Sequence, residues 1–508
     1  MNLLDDAWIP VRADGGTGPF RQISYEELLC GSGNWQVSLP RDDLEMACAQ
    51  LLICMTQVIF LPRDDRELRE QHDAPLDSDS YTKAIVPYRD WFDLNHPVHP
   101  FMQTRGVKGE PTSVQKLLPG MPEKTSTAPS AHCFFNEVDE VEHVSGTIAA
   151  IALFNQASNS PSFGGGFKGS LRGGSPITTV VVGDDLRGTL WRNVLTLGRV
   201  HEQLPGYEPD PARDKPTWVE PIKRAQKIPA MTVGLLRGLF WQPAHIELVS
   251  AEKNTTCGVL NITGPAFMGF RKEKFSFTVE GIWPHPHGAQ IAKLKKGAIE
   301  WKFASFTTAA PAWIHLSQFV VPRSIGEGNE GQIPAAPIIQ TSQLFPHEAL
   351  HLWVGGYRVN QASVLERRHE QFSLAQGWSD DRGRLEQLVN LGLQAKKALR
   401  GKLYFAVQGN KDKGLKGLGL PIHEAAEDLF YAASESVLHA VLRDEMTFSE
   451  FKTTRERLAT GLAALCRDIF TKLTDSFTAK PEYIPVIAIA RRNLENDLKQ
   501  LIEGVQSA

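Results

Sequence analysis

The stretch with the most distinctive chemistry is Ser162–Pro176, SFGGGFKGSLRGGSP, in which six of fifteen residues are glycine and Lys168 and Arg172 are the only charges. So many glycines forfeit backbone entropy and contribute no packing, which excludes a stable helix or a sheet interior. What remains is main chain without Cβ atoms, open to close approach and flanked by cations, a surface suited to a polyanion. The spacing Gly164-x-Gly166-x-x-Gly169 meets the dinucleotide fingerprint in letters only. Asn159-Ser160-Pro161 precedes it instead of a strand, and Leu171-Arg172-Gly173-Gly174 blocks a following helix. Lys168 is followed by Gly169, which excludes a Walker loop.

Other candidate chemistry is thinner. Pro284-His285-Pro286-His287 and the pair His96 and His99 invite a metal reading. Neither has cysteine or carboxylate partners at ligand spacing, and histidines between prolines read as turn residues. G-x-S-x-G and paired-carboxylate signatures are missing. The sequence therefore predicts no catalytic residue, no metal and no cofactor.

At 508 residues the chain is too long for one ordinary core. Hydrophobic residues at 42% and charged residues at 22% are those of a soluble globular protein. A net charge of −4 gives no global basic field, so any nucleic-acid contact must come from local cations. Six cysteines without a C-x-x-C pair, and no signal peptide, predict reduced thiols in a cytoplasm. The apolar run Leu51–Leu61 is too short to span a bilayer, so no membrane is expected.

The elements that would position the glycine loop follow from periodicity. Trp8–Arg12 reads as a strand. Ser38-Leu39-Pro40-Arg41-Asp42-Asp43 opens a buried helix, with Asp42, Asp43 and Glu45 at the positive end of its dipole. From Gly109 to Ser145 the pattern disappears into a long loop, in which Phe134 and Phe135 are a candidate docking pair. Gly146–Ala157 is a helix leading into the glycine loop, and Ile177–Val182 a buried strand after it. Phe270–Val279 alternates as one strand, projecting Lys272 and Lys274 together from its polar face. Leu350–Val354 is a strand ending at Gly355-Gly356, followed by a loop over Tyr357–Ser363 that carries Arg358, Asn360 and Gln361. Beyond Gly377, helical stretches near 379–408, 421–443, 447–477 and 481–505, joined mostly by short links, predict an antiparallel four-helix bundle. The fold class is α+β, with a mixed α/β domain over 1–376 and the bundle over 377–508.

These blocks resemble the CasA family, the large subunits of the type I-E CRISPR surveillance complex Cascade. The resemblance runs from Met1 to about Val505 and is carried by Ser38–Asp43, His99–Thr104 (HPFMQT), Ala150–Ala157 (AIALFNQA) and Phe163–Lys168 (FGGGFK). Arg237–His245, Lys272–Phe275 (KEKF), Trp283–His287 (WPHPH) and Asn360–Ser363 (NQAS) continue it in order. It implies a non-catalytic subunit that recognises the PAM, the short motif flanking the target, in double-stranded DNA from the minor groove. It further implies a start to strand separation and R-loop formation. A glycine loop would correspond to Gly164, Gly165 and Gly166, a lysine finger to Lys274, and a glutamine wedge to Gln361 with Asn360 beside it. Lys168, Arg172, Lys272 and Arg358 are candidate phosphate contacts. The implied partners are target DNA, guide RNA, the other Cascade subunits and a helicase-nuclease, with the isolated chain a monomer. Cys257 stands alone where some relatives carry a cysteine cluster, so no metal knuckle is expected. The rival readings are a nucleotide-dependent enzyme using the glycine loop and an architectural subunit that bridges guide RNA and partners.

Overall fold

A computed structural model of the chain describes residues 1–121, 140–295, 298–308, 310–325, 330–379, 382–443 and 450–506. The chain divides into two units. The first takes in Met1–Thr307, Pro322–Leu344 and Leu352–Gln371. The second takes in Phe372–Ala508 together with two short earlier segments, Thr308–Val321 and Phe345–His351.

Two buried helices make the centre of the first unit. α1 (Asp42–Ile59) begins with the three expected acidic residues and buries almost every side chain from Asp43 to Val58. α2 (Gly146–Ser158) packs against it, buried on nearly every side, with the Ser145 hydroxyl accepting from the Ile148 amide at its start. Around this pair lie small sheets. β1 (Thr112–Ser113) and β2 (Val144–Ser145) line one edge of β5 (Ala266–Glu273), and β4 (His245–Ser250) pairs antiparallel along the other. β3 (Thr178–Val182), the buried strand after the glycine loop, joins a second sheet beside β7 (Leu350–Asn360), which in turn neighbours β8 (Ser363–Leu374).

Three sequence expectations change. The run 270–279 is not one strand: β5 stops at Glu273, and β6 (Phe277–Glu280) turns to pair in parallel with Gln226–Pro229. Phe275, in the break, stacks on His245 with ring centroids 4.3 Å apart, so the chain changes partners where an aromatic ring is pulled inward. The 109–145 stretch is regular at its near end, where β1 and the 3-10 turn Val114–Leu117 bury Val114 and Leu117. Phe134 and Phe135 lie outside the described residues. Finally, Gly355-Gly356 does not end a strand. β7 runs on to Asn360, and the glycines serve close approach: a Cβ at Gly355 would enter the His369 ring, and one at Gly356 would stand 2.9 Å from the Pro176 carbonyl.

In the second unit, α3 (Arg382–Gln408), α4 (Ile422–Arg443), α5 (Phe451–Thr474) and α6 (Ile484–Gln506) pack as the four-helix bundle. Leu385, Leu388, Leu399 and Leu403 of α3 and Ile487, Leu494 and Leu498 of α6 are buried as their spacing predicts, whereas Ile484 is exposed. Trp313, from one of the short earlier segments, fills the space that Gly392 leaves open on α3. No helix among the described residues is long and apolar enough to cross a membrane.

The histidines set aside as turn residues have a structural consequence. His285 and His287 are almost wholly buried in the first unit. Burial, and next the neighbouring Arg172 charge, hold His287 down to about 3 and His285 well below its ordinary value. The His285 Nδ1 accepts the His287 amide at 3.1 Å, as a neutral ring can. Both rings gain a proton only on unfolding, so their stabilisation is full above pH ~6.5 and is lost as pH falls toward 3. Thermal denaturation should show stability falling by about 3 kcal/mol per pH unit from this pair between pH 6 and 4. A flat melting temperature across that window would refute it.

Candidate nucleic-acid interface

The β7–β8 hairpin closes through two residues, Gln361 and Ala362. Gln361 takes a left-handed φ of 56° while Ala362 does not, so a glutamine occupies the turn position that glycine normally fills. A non-glycine residue held there is strained by about 1–2 kcal/mol, and it places a long, exposed amide side chain at the very tip.

Beside that tip lies the glycine loop. Gly164, Gly165 and Gly166 all have left-handed φ (74°, 56° and 89°), a run that only glycine tolerates. The turn is closed by the Phe167 amide donating to the Gly164 carbonyl at 3.0 Å. It is braced by Phe163, whose ring sits 5.5 Å from Phe167 and 5.6 Å from Phe270 of β5. The Lys272 ammonium lies 4.7 Å over the Phe163 ring. Lys274, in the break after β5, donates from Nζ to the Gly165 carbonyl at 2.7 Å. On the other side, a Cβ on Gly164 would stand 3.3 Å from the Ala362 methyl. Gly165 is exposed and, among the described residues, has nothing within 4 Å of where its Cβ would be.

What fixes the two loops against each other is a buried chain of polar side chains. Asp43 at the start of α1 holds Arg41 at 2.7 Å and accepts the Tyr357 hydroxyl of β7 at 3.0 Å and Arg367 of β8 at 3.2 Å. Tyr357 accepts from Asn155 of α2 at 2.7 Å, and Asn155 accepts from Asn159 at 3.1 Å. Arg172 then donates to Asn159, to the Ser158 carbonyl at 3.0 Å and to Thr178 at 3.0 Å. The chain thus runs from α1 through the hairpin and α2 to the far arm of the glycine loop.

The structure therefore brings Gly164, Gly165, Gly166, Lys274 and Gln361 together, with Asn360 exposed beside Gln361. Lys168 is exposed on the same loop, and Lys272 is half-buried behind it. Arg172 is a correction: at 4% exposure its guanidinium points inward and cannot meet a phosphate. Arg358 is partly exposed, and its Nε is paired with Glu366 across the hairpin at 2.8 Å. His96 and His99 stack, and His96 Nδ1 accepts the Val98 and His99 amides, which makes the first ring a turn brace. Lys116, on the turn after β1, comes near Lys272 only through the pairing of β1 with β5, which is why it does not stand out in a single sequence.

The loop and hairpin tip of this α+β chain thus present bare main chain, the exposed amines of Lys168 and Lys274, and an exposed glutamine amide. The chain belongs to the CRISPR-associated protein Cse1 family, which it matches over residues 2–469. Its fold is that of Thermobifida fusca Cse1 (TM-score 0.74, 17% identity, covering 100% of this chain and 98% of that one). It is likewise similar to Thermus thermophilus CasA (Cse1), with a TM-score of 0.70 and 18% identity over 98% of this chain and 99% of that one. A chain of a CRISPR RNA-guided surveillance complex also matches, with a TM-score of 0.63 and 14% identity over 97% of this chain and 99% of the other.

Proposed function

We propose that this chain is the non-catalytic large subunit of a cytoplasmic type I-E Cascade. In this reading it recognises the PAM through the minor groove, helps start strand separation and R-loop formation, and recruits the helicase-nuclease. Family membership and the likeness to a chain of an RNA-guided surveillance complex support the assembly with guide RNA and other subunits. The observation that carries the site is the Lys274 Nζ resting on the Gly165 carbonyl, with Ala362 against Gly164, so that cation, bare backbone and hairpin tip share one face.

The minor groove is about 6 Å wide and shows a degenerate pattern of acceptors. Cβ-free backbone and one slender cation can enter it and distinguish few base identities, which makes a tolerant reader. Gln361 would insert below the PAM as the strands part. Unstacking costs a few kcal/mol per step, more than one amide supplies, so guide pairing and backbone contacts provide the rest.

The test is to reconstitute the full complex and measure binding to a randomised PAM library at stated salt, with and without this chain. PAM-dependent enrichment that requires the chain, and that falls in Lys274→Met, is expected; unchanged enrichment in both would overturn the reading. Gln361→Gly separates function from fold. Relief of the left-handed strain offsets the extra freedom of the unfolded chain, so melting should be unchanged or higher while PAM-dependent binding drops.

A further inference from the structure

We propose that His245 is a positioning residue for Lys274, acting through the ring of Phe275. The inference rests on the minor-groove reading above only in what Lys274 is positioned for.

Lys274 stands where the backbone is least held by its sheet. The pairing of β5 with β4 ends at Glu273 and His245, and β6 takes up its own pairing only at Phe277. Residues 274–276 therefore span a gap between two strands, and Lys274 is exposed. Its single hydrogen bond to the Gly165 carbonyl cannot fix that backbone, because ordering a long, flexible stem costs a large part of what the bond gains.

The residues on either side hold it instead. Before it, Glu273 is paired with Arg224, whose side chain is 73% exposed, so water and salt largely screen the pair. After it, Phe275 is buried and lies on the His245 ring, with centroids 4.3 Å apart and planes within 20°. Phe275 leads on to Phe277 at 5.1 Å and Phe277 to the buried Trp241 at 5.7 Å, which anchors the stack in the core. The Ser276 carbonyl accepts the Ala225 amide at 2.7 Å and closes the far side of the gap. Of these contacts the buried rings are the strong ones, and His245 stands where the β4–β5 pairing stops. Burial is the main reason its pKa lies below the ordinary histidine value, so at pH 7 the ring stacks as an uncharged aromatic. Removing it frees Phe275, and with it the backbone from which Lys274 reaches the glycine loop.

The experiment uses the reconstituted complex. Without DNA, the rate at which an amine-reactive reagent labels Lys274 is followed by mass spectrometry; with PAM-containing duplex, affinity is measured. His245→Ala is expected to let Lys274 label several-fold faster and to bind the duplex about tenfold more weakly, the size of one aromatic pair. His245→Phe should restore both. In a Lys274→Met background, His245→Ala should lose no further affinity, which a general loss of stability would not produce. Should His245→Ala melt early, His245→Leu, which keeps apolar packing without the ring, takes its place. Unchanged labelling of Lys274 overturns the inference, and so do losses that add to those of Lys274→Met. If Lys274→Met leaves PAM-dependent binding intact, the minor-groove reading falls, while the labelling rate still decides whether His245 positions Lys274.

Discussion

Asp43→Ala is expected to destabilise the first unit by about 3–5 kcal/mol, the cost of leaving the largely buried Arg41 guanidinium without its partner. Asp43 is 2% exposed and is met by Arg41, Arg367 and the Tyr357 hydroxyl. Burial alone would raise its pKa, but Arg41 and then Arg367 hold it below the usual carboxylate range. Its contribution is therefore present above the ordinary carboxylate pKa and is lost as pH falls through the lowered folded value. Chemical denaturation compares Asp43→Ala with Asp42→Asn, whose side chain is 45% exposed and whose loss should be much smaller. A loss under about 1 kcal/mol for Asp43→Ala would show that the network is not what holds the hairpin.

Gly165→Val should lower PAM-dependent binding of the assembled complex by about 100-fold, combining left-handed strain with a side chain standing in the groove. Among the described residues nothing lies within 4 Å of the added Cβ, so the fold itself should lose only the strain, about 1–2 kcal/mol. Gly165→Asn provides the control. Asparagine accepts a left-handed φ, so stability should recover while binding stays low. Wild-type affinity in Gly165→Val would remove the glycine loop from any contact with DNA.

Much of this arrangement was readable from residue order. The acidic entry of α1, the apolar run of α2 and the 3.6-residue stripes of the bundle are strong signals, and the helices form where those signals lie. The glycine loop was legible because its composition excludes regular structure. Other features were hidden for definite reasons. Gly355-Gly356 has the composition of a strand end, yet its role depends on His369 and Pro176, which come near only after folding. Arg172 reads as a loop cation, and nothing in its neighbours reveals that Ser158, Asn159 and Thr178 wait to take it inward. The 270–279 alternation is real in the sequence, but strand partners, not periodicity, decide where pairing stops. That break is what frees Lys274 to reach Gly165.

The line of side chains from Asp43 through Tyr357, Asn155 and Asn159 to Arg172 has an implication for how such a reader could drift. Because one continuous tether links hairpin and loop, a small change at any link tilts both contact points at once. On the proposed reading, tolerance for different flanking motifs can thus be retuned from deep inside the protein. A survey confined to the proposed DNA-facing surface would overlook those residues.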